Sequence, residues 1–189
     1  MLLTRRCRVG MGSDKTHEAF TVAPALRLRP SDAVDVRDDR PPGSAPLAVN
    51  ADGLDAGLAA AGVTVGPDTE IRLRLRPQTT PGQQGSTQQI GPDAYRIIIH
   101  IAAKPALADR HLYVVNNSLV HELRHVHQHQ HHPNLAVEYA GHSATVGYHA
   151  NPYEIEARYY GRLADPTNSK DTGPAGTHLG KQVWGLRIP

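Results

Sequence analysis

Two histidines four residues apart, His121 and His125, constrain the fold of this 189-residue chain more than any other feature. Apolar residues recur at steps of three and four around them, which predicts that both lie on one α-helix. Residues four apart in a helix share a face, so both imidazole rings can reach one metal ion. Glu122 follows the first histidine and projects to the side of the pair. We therefore predict a helix that carries a metal site.

The His-Glu-x-x-His spacing is typical of zinc-dependent hydrolysis, in which the glutamate takes a proton from water at the metal. Zinc in such sites takes three protein ligands and leaves one position for water. The chain has a single cysteine, Cys7, which excludes a thiolate cage and restricts a zinc site to histidine and carboxylate ligands. His121 and His125 supply two ligands, and the third must come from elsewhere in the chain.

The segment from Asn151 to Ala157 contains a candidate for that ligand. His-Glu-Leu-Arg-His, followed some 29 residues later by Asn-Pro-Tyr-Glu-Ile-Glu-Ala, resembles the gluzincin branch of the zincin metallopeptidases. In that family a second helix supplies a glutamate ligand. The family often has aspartate after the alanine that matches Ala157, whereas this chain has Arg158. The resemblance covers mainly residues 108–163.

The resemblance implies a complete site. Glu154 would be the third ligand of one catalytic zinc ion (Zn²⁺), beside His121 and His125. Glu122 would be the general base. It also implies the fold, a minimal zincin-like domain in which a small antiparallel or mixed sheet packs on the helix with the motif, and a second helix carries the glutamate.

Other interpretations of the third ligand stay open. Asn151 can cap a helix with Pro152 at its first position and Glu154 at its third, so a capping box alone would explain a glutamate there. The alternative ligands are Glu156 and a histidine such as His142 or His149. Glu156 would point about 200° around the helix from Glu154, so the two glutamates cannot both face the metal.

Further histidines continue the helix beyond the motif. His127 and His131 form another pair four residues apart, which could bind a loose second metal ion. The simpler interpretation is that they are exposed residues near the end of the helix, where protonated histidine is favourable. The first alternative to an enzyme is therefore a histidine-rich metal-binding protein.

Patterns along the rest of the chain predict an α+β fold. Alternation with period two predicts strands at Ile71–Arg76 and Tyr95–Ile101, which could pair as a hairpin around a loop at Thr79–Gly91. Helices are predicted from a cap at Asn50 or Asp52 to Ala61, from Asp109 or Asn117 to Pro133, and from Asn151 to about Leu163. Asn134–Ala150 is predicted to be a loop with possible short structure.

Changes in composition predict three regions. Residues 1–45 are expected to be a loosely ordered N-terminal segment, with a possible strand at Phe20–Leu28 and a linker at Ser31–Ser44. Residues 46–165 are expected to form the zincin-like metallopeptidase domain. Residues 166–189 are expected to be a polar C-terminal tail, of which Val183 and Trp184 could dock on the domain.

The composition also excludes some classes of partner. The formal net charge of +2 is too small to indicate a nucleic-acid partner. No apolar run approaches the roughly 20 residues of a membrane span. The N-terminal residues lack the apolar stretch of a secretory signal, so a cytoplasmic location is expected. The sequence leaves the oligomeric state open.

The predicted function is that of a zinc metalloendopeptidase that acts on a peptide or protein substrate. The group that donates a hydrogen bond to the carbonyl oxygen of the substrate could be the hydroxyl or imidazole of Tyr148, His149 or Tyr153. The Tyr95–Ile101 strand could be the edge strand that pairs with an extended peptide, and the Thr79–Gly91 loop could cover the cleft. A second alternative keeps the zincin fold without peptidase activity, as a binding domain.

Overall fold

The computed structural model describes residues 29–44, 47–102, 109–162 and 186–187, which form a mixed helix and sheet fold. A four-stranded sheet contains β1 (Val34–Asp38), β3 (Glu70–Pro77), β4 (Gly85–Gly91) and β5 (Ala94–Ile101), and a two-stranded antiparallel pair joins β2 (Ala48–Val49) to β6 (Leu186–Arg187). The α-helices are α1 (Ala51–Ala61), α2 (Asp109–His131), α3 (Leu135–Val146) and α4 (Pro152–Arg162). The α+β prediction is confirmed at this level.

Strands β3 and β5 confirm the two strands predicted from period-two alternation. Every second side chain of each strand is buried, beginning at Ile71 in β3 and at Tyr95 in β5. The predicted hairpin between them is wrong, because the two strands pair in parallel. The order across the sheet is β1-β3-β5-β4. Along the chain β4 lies between β3 and β5, and it runs in the opposite direction to both.

The predicted loop at Thr79–Gly91 is wrong for its second half, which is strand β4. This strand pairs antiparallel with β5 and lies at the edge of the sheet. The edge strand next to β5 is therefore β4. The prediction that Tyr95–Ile101 forms an edge of the sheet is also wrong. The sequence of β4 has no apolar period, because backbone hydrogen bonds to β5 form the strand and its side chains are exposed or half-buried.

The predicted linker at Ser31–Ser44 contains strand β1, which pairs in parallel with β3. Only part of the charged composition that suggested a linker lies in this strand, where Asp35 accepts a 2.9 Å hydrogen bond from Arg74, and the proline-rich residues follow the strand. The sheet therefore extends across the predicted boundary between residues 45 and 46. The predicted strand at Phe20–Leu28 and the predicted docking of Val183 and Trp184 lie outside the described residues.

Helix boundaries follow local capping signals. The Asn50 side chain accepts a hydrogen bond from the Gly53 N–H at the start of α1, and Gly62 ends that helix at a φ of 74°, in the left-handed region that suits glycine. Helix α2 takes the earlier of its two predicted starts. The predicted loop at Asn134–Ala150 is wrong, because it contains helix α3. Among the helices of the described residues, none has the length and apolarity to span a membrane.

Helices α1 and α2 contact each other and pack with the sheet in one apolar core. This core fixes α2, and with it the motif, against β4 and β5. Its members include Leu54, Leu58, Ile71, Leu73, Leu75, Tyr95, Ile97, Ile99, Val115, Leu119, Leu123 and Val126.

Truncation at the centre of this core should destabilise the whole fold. Ile97 on β5 is fully buried, and Ile97→Ala is expected to lower the free energy of unfolding by about 2–5 kcal/mol, because it leaves a cavity as well as removing apolar contacts. Urea denaturation measures this change. The neighbouring Ile98, half-buried on the other face, is the matched control, and Ile98→Ala should cost less. Equal losses would contradict the assignment of the core face.

Candidate metal centre

Helix α2 brings the two motif histidines together on one face. His121 Nε2 and His125 Nε2 lie 3.2 Å apart, and the rings meet edge to face with centroids 4.8 Å apart. Both side chains are mostly buried, at 14% and 11% exposed. Two ring nitrogens this close together can share a metal ion or a proton between them.

Helix α4 adds a carboxylate to the pair. Glu154 is 2% exposed, its Oε2 lies 3.3 Å from His121 Nε2, and its Oε1 lies 3.3 Å from His125 Nε2. The two helices approach closely at Gly161, where a Cβ atom would lie 3.1 Å from the Asn117 carbonyl oxygen. A glycine at this crossing therefore lets α4 bring its carboxylate within reach of the histidines.

The capping box predicted for α4 is half formed. The Asn151 side chain accepts a 3.0 Å hydrogen bond from the Tyr153 N–H, as an N-cap should. The Asn151 N–H, however, donates to the Tyr148 carbonyl oxygen, and Glu154 turns towards the histidines. Capping therefore does not account for the carboxylate of Glu154.

The three side chains have the spacing of a zinc site. With bonds of about 2.0–2.1 Å, the ligand atoms of a tetrahedral zinc ion lie about 3.3–3.4 Å apart. The corresponding separations here are 3.2 Å between the imidazoles, 3.3 Å from His121 to one carboxylate oxygen and 3.3 Å from His125 to the other, and one ligand atom from each residue lies within 4.8 Å of the other two. Glu154 Oε2 is also buried without a hydrogen-bond partner. Within the described residues, these three form the one group of metal-ligating side chains of this kind.

The electrostatics of the group favour a cation at its centre. Burial acts to raise the pKa of Glu154, but its close contacts with His121 and His125 and the hydrogen bond from Tyr139 outweigh burial and hold that pKa well below its usual range. Burial acts to lower the pKa of His125, but the nearby carboxylate of Glu154 and the charge of Glu122 raise it overall. A site that stabilises added positive charge in this way suits a metal ion or a proton.

Glu122 lies against the edge strand, beside the metal-ligating group. Its Oε2 accepts a 2.7 Å hydrogen bond from the Thr87 hydroxyl of β4. A Cβ atom at Gly85 would lie only 2.6 Å from Glu122 Oε1, so glycine leaves the space that this carboxylate occupies. Burial raises the pKa of Glu122, although the charges of His125 and His121 oppose the shift. Strand β4 thus holds the Glu122 carboxylate in place, and this carboxylate is not one of the metal-ligating side chains.

An open cleft of about 650 Å³ exposes this group to solvent. Strand β4 forms one wall, α3 and the turn after it form the other, and the motif lies on α2 between them. The wall residues are Gly85, Ser86, Thr87, Gln88, Gln89, Pro133, Leu135, Ala136, Tyr139 and Tyr148. The cleft between β4 and α3 is therefore lined by Glu122 and the two histidines.

The other predicted ligands are engaged elsewhere. Glu156 accepts hydrogen bonds from Arg124 and Gln128, on the far side of α4 from Glu154. The exposed His142 ring packs against Tyr153, and the exposed His149 ring packs against Tyr148. The structure thus places Glu154, and neither Glu156 nor these histidines, in the group with the motif.

His127 and His131, the second histidine pair of α2, do not line the cleft, whereas His129 does. His127 Nδ1 lies 2.6 Å from the Gly62 carbonyl oxygen, and His131 Nδ1 lies 2.8 Å from that of His127. Their rings stack with centroids 3.9 Å apart. The backbone contacts occupy one nitrogen of each ring, which fits the interpretation of these residues as part of the end of the helix.

Three residues of the site carry no motif in the sequence. Thr87 lies in the segment predicted as a loop, and Tyr139, whose hydroxyl donates to Glu154 Oε1 at 2.7 Å, lies in another. Gln128 is hidden in the histidine-rich run. Arg158, where the gluzincins often have aspartate, places Nη1 3.7 Å from Glu154 Oε2. The contacts of Thr87 and Tyr139 join different secondary-structure elements, so sequence spacing does not predict them. Gln128 and His125, and Arg158 and Glu154, are three and four residues apart on one helix, where side chains are neighbours.

The sequence matches no protein-family profile and no curated protein, and the structure matches no solved structure. The function of the chain therefore has to be argued from the contacts and charges of the cleft.

Proposed function

We propose that this protein is a zinc-dependent metalloendopeptidase of the gluzincin type, with a minimal zincin-like fold. The observation that carries the proposal is the convergence of His121, His125 and Glu154 at separations of 3.2–3.3 Å, with Glu122 in the same cleft. This is a three-ligand set of the composition found in hydrolytic zinc sites, with a carboxylate that is not a ligand beside it.

His121, His125 and Glu154 would hold the metal. Two imidazoles and one carboxylate without a thiolate suit zinc, whereas sites for magnesium or calcium use oxygen ligands alone. Zinc, when bound, supplies Lewis-acid chemistry that polarises a carbonyl group and makes water acidic enough to lose a proton near neutral pH.

Glu122 is the general base in this proposal. Thr87 holds its Oε2, so Oε1 is the atom left to accept a proton from the attacking water. The same carboxyl group then donates that proton to the nitrogen of the leaving amine, which is the ordinary cycle of a general base and acid. Because β4 fixes the carboxylate before substrate binds, little reorganisation is needed during the reaction.

Tyr148 is the best placed of the three predicted donors to the carbonyl oxygen. Its side chain lines the cleft and is half exposed. Tyr153 donates its hydroxyl to Glu138, and the His149 ring packs against Tyr148. A tyrosine hydroxyl at the cleft could donate a hydrogen bond to the oxyanion that forms during attack.

The free edge of β4 favours an extended peptide as substrate. A peptide can add to an exposed strand through backbone hydrogen bonds, and this edge runs along the cleft. Among the described lining residues, the carboxylates are Glu122 and Glu154, and no lysine or arginine is present to hold a terminal carboxylate. The cleft therefore favours cleavage within a chain over removal of a C-terminal residue.

Metal content and digestion of a generic protein test the proposal together. The purified protein should contain one tightly bound zinc ion that His121→Ala removes, and it should digest casein or a mixed peptide library. A chelator should stop digestion, and added zinc should restore it. One tight zinc without digestion would support the binding-domain alternative, and several loose ions lost on changes at His127 and His131 would support the histidine-rich chelator.

Gly85→Ala should separate catalysis from metal binding. The new Cβ atom would lie 2.6 Å from Glu122 Oε1, so the carboxylate must move, while the zinc ligands on α2 and α4 are not displaced. We expect kcat to fall by about 10²-fold, the typical cost of a misplacement of about 1 Å, at unchanged zinc affinity. Gly141→Ala is the matched control, because nothing lies within 4 Å of its added Cβ atom. A fully active Gly85→Ala variant would contradict the role of β4.

A further inference from the structure

Gln128 is the one fully buried glutamine in the histidine-rich run of α2 among the described residues, at 0% exposed. Its Nε2 lies 2.6 Å from Glu156 Oε2 and 3.0 Å from the Tyr153 carbonyl oxygen. Its Oε1 lies 2.7 Å from His125 Nδ1. All three contacts of this amide are directed to residues of the two helices that carry the metal-ligating group.

The orientation of this amide is determined by its partners. A carboxylate and a carbonyl oxygen can only accept hydrogen bonds, so the NH₂ group of Gln128 must face Glu156 and Tyr153. The carbonyl oxygen of the amide must then face His125, and His125 Nδ1 must be the donor. In the neutral ring this places the proton on Nδ1 and leaves Nε2 with a lone pair.

That lone pair belongs to the nitrogen that faces the rest of the metal-ligating group. His125 Nε2 lies 3.2 Å from His121 Nε2 and 3.3 Å from Glu154 Oε1. Gln128 therefore selects the tautomer of His125 that can coordinate a metal ion at this point.

The same network ties the two ligand helices together. Glu156 accepts a 2.5 Å hydrogen bond from Arg124, whose other terminal nitrogen donates to the Ala61 carbonyl oxygen at 2.8 Å. The Arg124 guanidinium also stacks over the Tyr160 ring, 3.9 Å from its centroid. Gln128 thus joins His125 of α2 to Glu156 of α4, two residues from Glu154.

We propose that Gln128 is the positioning residue of the metal centre, which sets the tautomer of His125 and the register of α4 against α2. The proposal rests on the proposed zinc site. Partners of this kind, which bind the second nitrogen of a ligating histidine, typically contribute 10–100-fold to metal affinity. The segment that resembled a surface chelating patch would then contain a buried support for the site.

Gln128→Met keeps the length of the side chain and removes its hydrogen bonds. We expect it to weaken zinc binding by about 10–100-fold, measured by competition with a chelator. Gln130→Met is the matched control, because Gln130 also makes three hydrogen bonds, two with the Thr64 backbone and one to Asp93, but has no hydrogen bond with a residue of the metal group. It should keep the zinc affinity of the wild type even if it loses stability. Equal zinc affinity in Gln128→Met and the wild type would overturn the proposal.

A double variant separates positioning from a general loss of packing. Gln128→Glu alone places two carboxylates together. Combined with Glu156→Gln, it gives His125 a carboxylate acceptor at position 128 and gives that carboxylate an amide donor at position 156. We expect the double variant to bind zinc more tightly than Gln128→Met, although the Tyr153 carbonyl oxygen loses the hydrogen bond that it accepts from Gln128. A double variant that binds no better than Gln128→Met would count against the proposal.

The tautomer can be measured without any metal. Nitrogen-15 NMR of the metal-free wild type, at a pH where His125 is neutral, should show the proton on Nδ1. A proton on Nε2 would overturn the role of Gln128. If the wild-type protein binds no zinc but His125 shows the expected tautomer, the proposed function fails and the contact from Gln128 stands, so the two failures are distinguishable.

Discussion

Glu122→Gln is expected to abolish peptide hydrolysis and to leave zinc binding unchanged. The amide has the same shape as the carboxylate and can still accept the Thr87 hydrogen bond, but it cannot take a proton from water. Loss of a general base typically costs about 10²–10⁴-fold in rate. The change should appear in kcat, because the substitution removes a proton acceptor and not a contact that binds the peptide.

The measurement is steady-state hydrolysis of a peptide found by the library digest, together with the zinc content of the variant. Glu70→Gln is the matched control, since Glu70 pairs with Arg72 on the sheet and lies outside the cleft. Such exposed ion pairs contribute little, so this control should retain full activity. A Glu122→Gln variant with wild-type kcat would rule out Glu122 as the base, and one without zinc would show that Glu122 has a structural role in the site.

Glu154→Ala is expected to release zinc. Changes to a partner of a ligand cost 10–100-fold in affinity, so removal of a ligand itself should weaken zinc binding by more than about 100-fold. The reason is specific to this site: Glu154 contacts both imidazoles, one through each carboxylate oxygen, and each histidine would lose its carboxylate neighbour. Activity should be lost with the metal.

Thermal unfolding with and without zinc gives an independent reading of this variant. A ligand that binds only the folded state raises stability, by about 2.7 kcal/mol when its concentration is 100 times Kd. Zinc should therefore raise the Tm of the wild type and leave that of Glu154→Ala unchanged. Glu138→Ala, on helix α3, should respond to zinc as the wild type does. Full zinc occupancy in Glu154→Ala would move the ligand role to another residue.

The interior strands and the helix with the motif could be predicted from the sequence because their signals are local. Burial of one face imposes period two on β3 and β5 and a period of three to four residues on α2. Capping residues set the ends of α1, where Asn50 and Gly62 act within a few residues of the groups they bond. Each of these signals depends on neighbours in the chain, so no knowledge of the fold is needed.

Strand β4 and helix α3 could not be predicted in the same way. Strand β4 has no buried face of its own, and its backbone hydrogen bonds to β5 form it. Helix α3 is exposed along nearly all of its length, so no apolar period marks it, and Leu135 is its one fully buried residue. An edge strand and an exposed helix form through contacts with the rest of the chain, and a local sequence pattern does not predict those contacts.

The sequence predicts that His121 and His125 share one face of a helix, and that a carboxylate lies in the first turn of a later, capped helix. The spacing of residues along a regular helix is enough for both. Packing, in contrast, is what turns Glu154 to the histidines and Glu156 to Arg124, and what brings Thr87 against Glu122. Those contacts depend on how α2, α4 and β4 pack, and packing joins residues whose separation in the chain carries no signal.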